Sequence, residues 1–201
     1  HVTQFEEWKS SLHAAAMGPG VIGQLEDYTY SSPGYVEGCQ TCHAPNAEQH
    51  GLLSDEAGDG YSVNYQFDER LRSEGVTCLA CHVRGHTRFG PPITERPPAT
   101  VWAGPGHGGA YATTAHENSA FCSSCHQFDE GDRELNGKLI QNTYREWENS
   151  PQAREGQTCQ TCHMPLRSHT WKGVSDVETV RSAMEFDITT ESVTAEAARI
   201  R

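Results

Sequence analysis

The stretch "CQTCHAP" at 39–45 returns as "CQTCHMP" at 159–165, so one pattern of two cysteines and a histidine is used at least twice. Working outward, all eight cysteines fall into pairs of the same spacing: Cys39/Cys42, Cys78/Cys81, Cys122/Cys125 and Cys159/Cys162. Each pair is followed at once by a histidine, His43, His82, His126 and His163. Zinc ribbons and redox dithiols also use Cys-x-x-Cys, but neither needs the next residue. With 11 histidines in 201 residues, four chance hits in four would occur about once in 10^5.

Cys-x-x-Cys-His is the attachment site of c-type haem. On one helical turn the two sulfurs share a face, where they can form thioethers with the two porphyrin vinyl groups, and the histidine falls beneath the iron. The sequence therefore predicts four covalently attached haem c groups, tethered at Cys39, Cys42, Cys78, Cys81, Cys122, Cys125, Cys159 and Cys162. Their proximal iron ligands are His43, His82, His126 and His163. No cysteine is left for a disulfide. Thiols kept reduced for this chemistry in an exported compartment point to the periplasm or cell surface.

Composition agrees. Apolar residues make up 35% and aromatics 8%, little for a chain that must offset its conformational entropy by burial. Large flat apolar rings would supply the missing core. The formal charge of -12, from 27 acidic and 15 basic residues, argues against nucleic acid and anionic lipid and favours a basic redox partner. No apolar run reaches the roughly 18–20 residues of a membrane helix. A first residue His1 rather than methionine suggests a mature chain whose export signal has been removed.

The expected fold class is mainly α with extensive loops and little β, short helices and coil wrapped around four closely packed haems. Residues 1–172 form the tetrahaem domain and 173–201 a tail packed on the core or on a neighbouring subunit. "TQFEEWKSSLHAAAMGPG" reads as a first helix, with Thr3 and Glu6 as a capping box and Phe5, Trp8 and Leu12 on one face. "EQHGLLSDEAGDG" at 48–60 reads as a surface loop, and the Gly- and Pro-rich 83–111 as a long ordered loop across a cofactor. "TYREWENSPQA" at 143–153 repeats the first helix at an offset of 139: Phe5 meets Tyr144, Trp8 meets Trp147, Ser11 meets Ser150, and His13 meets Gln152. In the tail, Ser175 and Glu178 suggest a capped helix, and Met184, Phe186 and Ile188 a strand.

Seven histidines remain for the far side of the irons. Met17, Met164 and Met184 are too few for four, and Met164 adjoins a proximal histidine, so mostly or wholly bis-histidine, low-spin, low-potential haems are expected. His13, His107, His169 and His86 are the distal candidates, with His116 and His50 as alternates and His1 at a frayed terminus.

The pieces "EWKSSLHAAAM", "EGVTCLACH", "FCSSCHQF" and "EGQTCQTCHMP" resemble the multihaem cytochromes that include the tetrahaem electron acceptor of hydroxylamine oxidoreductase. That resemblance covers most of 5–171. It implies helices and loops around closely stacked haems, with His13 a distal ligand to the haem of Cys122, Cys125 and His126, and with either His86 or His107 as another. At Gln152 the pattern departs and no ligand carries over. At the level of architecture the chain also resembles small tetrahaem cytochromes that polymerise into extracellular conductive filaments, in which a histidine of one subunit may complete a haem of the next.

Electron transfer, not catalysis, is the expected function, with redox proteins or an extracellular acceptor as partners and a homo-oligomer or filament as an extension. The alternative is a small reductase of nitrogen or sulfur oxyanions with one open haem. The Cys-x-x-Cys-Lys site of pentahaem nitrite reductases does not occur.

Overall fold

The computed structural model describes residues 1–55, 57–58, 60–92, 110–184, 189–193 and 198–200. They divide into two units, His1–Trp171 and Lys172–Arg201.

In the first unit, α1 (Val2–Lys9) starts directly after His1 with no side-chain cap, so the expected capping box of Thr3 and Glu6 is not used. The helix is also shorter than expected. Beyond Lys9 the chain continues as tight turns, with Ser11 N bonded to Trp8 O, Ala15 N to Leu12 O and Gly18 N to Ala15 O. Ser11 drives this change: its hydroxyl donates to Trp8 O at 2.7 Å and accepts from Ala14 N at 3.4 Å, competing with the helical ladder. His13 thus sits on a turn, not on a helix face.

Helix α2 (Pro19–Glu26) opens on a proline where a missing N–H costs nothing. Helix α3 (Pro33–His43) carries the first motif. Met17, Leu25, Val36 and Ala44 pack together between them, with Val21, Ile22 and Cys39 against the cluster. These four and Trp8 are the only buried apolar side chains among the described residues. So small a set cannot be the whole core of a domain this long.

The surface loop expected at 48–60 is in part a hairpin, β1 (Leu52–Ser54) antiparallel to β2 (Tyr61–Val63), with Leu52 opposite Val63. Gln49 anchors its base. Its fully buried amide donates to Leu71 O at 2.8 Å and Gly75 O at 2.7 Å and accepts from Asn46 N at 2.9 Å. A polar residue satisfied on every side orders a stretch whose composition reads as a loop. Helix α4 (Glu69–Ser73) follows, capped by Asp68.

Helix α5 (Cys78–His82) leads into β3 (Val83–Arg84) and β4 (Thr87–Gly90), which turn back through Gly85 and His86, both at positive φ. Strand β4 also pairs in parallel with β5 (Tyr111–Ala112). The irregular loop expected over 83–111 is therefore sheet at its two ends, and 93–109 lie outside the described residues. Helix α6 (Ala120–His126) carries the third motif. Strands β6 (Glu134–Leu135) and β7 (Lys138–Leu139) are joined by Asn136 and Gly137 at positive φ, the dipeptide suited to a two-residue hairpin. Helices α7 (Thr143–Glu148), α8 (Pro151–Arg154) and α9 (Cys159–His163) complete the unit.

The second unit has α10 (Val177–Ala183), capped by Asp176, whose carboxylate accepts from Thr179 N at 2.9 Å and Thr179 Oγ1 at 2.8 Å. The cap is thus one residue after the expected Ser175. These two bonds hold the Asp176 carboxyl below its usual pKa. A strand is seen at β8 (Thr190–Val193), antiparallel to β9 (Ala198–Ile200). Phe186 and Ile188, expected in a strand with Met184, lie outside the described residues. No helix among the described residues is long and apolar enough to cross a membrane.

Candidate haem sites

All four motif helices, α3, α5, α6 and α9, end at the histidine of their Cys-x-x-Cys-His. Each places two sulfurs three residues apart on one face of the last turn.

Two of these helices are held by copies of one device. Trp8 Nε1 donates to Val76 O at 2.7 Å and Trp147 Nε1 to Gln157 O at 2.9 Å. In both cases the acceptor lies two residues before the motif's first cysteine. The serines match too, Ser11 Oγ accepting from Ala14 N and Ser150 Oγ from Ala153 N at 3.4 and 3.3 Å. Val76 N donates to His13 O and Gln157 N to Gln152 O, both at 2.9 Å. Gly75 and Gly156 precede them at φ +63° and +77°. The sequence repeat of the tryptophan helix is therefore half of a unit whose other half is Glu-Gly-x-Thr-Cys at 74–78 and 155–159. Trp8→Phe keeps the ring in its buried site but strands the Val76 carbonyl. We expect a loss of about 1–3 kcal/mol, read as a lower denaturant midpoint.

The motifs converge. The Cys42 and Cys125 thiols share a hydrogen bond that pushes Cys42 up and pulls Cys125 down to about 6. Cys122 is pushed up to about 12, chiefly by burial and then by Cys159, and Cys81 to about 11 by burial. Helix α6 thus meets the motifs of α3 and α9 through Cys42 and Cys159, with Cys81 of α5 within electrostatic reach. Buried Ser119 accepts from Cys159 N at 3.0 Å, and Gln160 Nε2 donates to His116 O and Asn118 O at 2.9 Å.

Two of the motif imidazoles are oriented as metal ligands need. His43 Nδ1 donates to Ala16 O at 2.7 Å and His82 Nδ1 to Phe89 O at 2.9 Å. Because a carbonyl can only accept, the proton is fixed on Nδ1 and the Nε2 lone pair is left for a metal. His126 differs: Gln141 Nε2, which also donates to Thr143 Oγ1 at 3.1 Å, lies 3.0 Å from His126 Nδ1, so a donor and not a carbonyl faces that nitrogen. His163 ends α9, exposed.

Two imidazoles bound to opposite sides of one metal have ring centres about 6 Å apart, from two metal–nitrogen bonds of about 2 Å and the two ring radii. The His13 and His126 ring centres are 6.2 Å apart, and those of His82 and His169 6.3 Å. Burial, then the neighbouring His126, pulls His13 down to about 4, which keeps it in the neutral, ligating form. Burial likewise lowers His169, followed by His82. Nδ1 of both His13 and His169 is buried without a hydrogen bond.

The other candidates are placed differently. His116 lies 4.7 Å from His82, with Nε2 on Cys81 O at 3.1 Å. Buried His50 points its Nε2 at Ala44 O at 2.7 Å. His86 is exposed at the tip of the β3–β4 turn, and His107 lies outside the described residues. Sequence reading missed Glu7, which accepts from His169 N at 2.9 Å and lies 4.0 Å from its Nδ1. That contact spans 162 residues, and no local pattern encodes it.

Paired sulfurs on helix ends, tautomer-fixed imidazoles, facing rings at metal-spanning distance and a thin apolar core all fit haem. Among the described residues, no three His, Cys, Asp or Glu side chains converge as a direct metal site.

A scan of protein-family models and a search of curated proteins find no match. Among solved structures, the crystal structure of a penta-heme cytochrome c552 from Thermochromatium tepidum superposes with a TM-score of 0.62 at 21% identity, over 96% of this chain. The chain has the fold of a multihaem c-type cytochrome. It spans 60% of the length of that cytochrome.

Proposed function

We propose that the chain is an exported tetrahaem c-type cytochrome that carries electrons and catalyses no reaction of its own. The observation that carries the reading is the pair of imidazole couples, His13 with His126 and His82 with His169, each spanning a metal-sized gap beside a Cys-x-x-Cys-His helix. Haem iron, when bound, supplies the one-electron change.

The residues of the chain do the rest. The eight cysteines tether, and His43, His82, His126 and His163 ligate from the proximal side. His13 and His169 would help hold the irons of His126 and His82. His107 and His86 are the candidates for the other two, since His50 and His116 have Nε2 on backbone carbonyls. Convergence of the motifs on α6 keeps the four sites near enough for an electron to pass between them. A net charge of -12 favours docking to a basic redox protein. Assembly into a conductive filament extends the same reading.

The test is direct. The purified chain should carry the added mass of four haems and show low-spin spectra when reduced, and its reduction by a basic donor protein should slow as salt rises. Dominant high-spin spectra, or stoichiometric carbon monoxide binding at neutral pH, would replace the carrier by a reductase with an open iron. Discrete monomers at every concentration in scattering would remove the filament.

A further inference from the structure

Trp171 stands between the two distal histidines. Its ring centre is 4.5 Å from that of His13, at an interplanar angle of 87°, and 5.2 Å from that of His169, at 86°. Both contacts are edge-to-face, the arrangement that ring quadrupoles favour and that resists rotation of either partner. The backbone confirms how tightly this indole is held. Trp171 sits at φ +41°, in the left-handed region that glycine prefers, as do Leu166 and Arg167 at +55° and +62°. Such conformations persist where surrounding contacts over-determine them. His169 is fixed on its other side, its N–H on the Glu7 carboxylate.

The tetrahaem reading puts His13 and His169 on different irons, those of His126 and His82. We propose that Trp171 is a positioning residue shared by these two distal ligands, fixing the ring planes of both and so setting two neighbouring haems apart electronically. The inference rests on the reading above. The planes of His13 and His126 lie 76° apart, and those of His82 and His169 29° apart. Axial imidazoles near perpendicular give the large-g low-spin resonance, and near-parallel ones the rhombic resonance. The wild type should show both at low temperature. Partners that orient metal-ligating histidines tune the metal they bind, so one indole touching two ligands affects two centres at once.

Trp171→Leu keeps apolar bulk and loses the edge contacts. We expect both resonances to shift and broaden together, and the potentials of the same two haems to move, with four haems retained and the other two unchanged. Trp171→Phe, with the smaller ring, should shift the same two by less. A folded Trp171→Phe protein with four haems and both resonances unmoved would overturn the role of Trp171, as would a shift confined to one haem. That result remains available if the leucine variant does not accumulate. A wild-type chain without haem mass would instead sink the tetrahaem reading itself, so the two failures are told apart.

Discussion

Gly75→Ala should destabilise the protein strongly and disturb the iron site proposed at His13. A Cβ there would lie 2.6 Å from His13 O, 2.9 Å from Ala16 N and 3.1 Å from Ala16 Cβ, at φ +63°. Left-handed backbone costs an alanine about 1–2 kcal/mol. Forcing atoms into a packed contact adds about 1–3 kcal/mol, and the backbone that must give way is that of His13. Gly156 is the control. It holds the same place in the second copy of the tryptophan unit, at φ +77°, but nothing lies within 4 Å of its Cβ position. Gly156→Ala should therefore lower the denaturant midpoint by the strain alone. Gly75→Ala should lower it further and also show a high-spin fraction from a displaced His13. Equal effects in the two variants would mean that the close approach of 75 to 13 is not formed.

On the tetrahaem proposal, His13→Ala and His169→Ala should each convert one haem of the four from six- to five-coordinate. The expected readout is a high-spin signal in about a quarter of the haem, with one carbon monoxide bound per reduced chain, because removing an axial ligand opens that position. The double variant should bind two, as expected for separate irons. His50→Ala, which removes a bond to Ala44 O, should cost about 1 kcal/mol and leave every haem low-spin. One carbon monoxide in the double variant would place His13 and His169 on the same iron and refute the pairing by ring distance.

The four motifs were legible because each is a run of five residues, and the structure ends a helix at every one of their histidines. The thin core was legible in composition and recurs as five buried apolar side chains among the described residues. Half of the tryptophan repeat was legible too. Its partner was not, because Trp8 finds Val76 across 68 residues while Trp147 finds Gln157 across 10. The errors share a cause. Ser11 ends α1 early through bonds of its own hydroxyl, and Gln49 orders a polar stretch through carbonyls at 71 and 75. Specific hydrogen bonds overrode periodicity and loop-like composition in both places.

The unequal spans of the two tryptophan bonds bear on how the molecule is put together. The C-terminal copy closes a loop of 10 residues, with little entropic penalty. The N-terminal copy closes a loop of 68 residues that holds Cys39 and Cys42 within it, so the costlier seam is the one nearest the beginning.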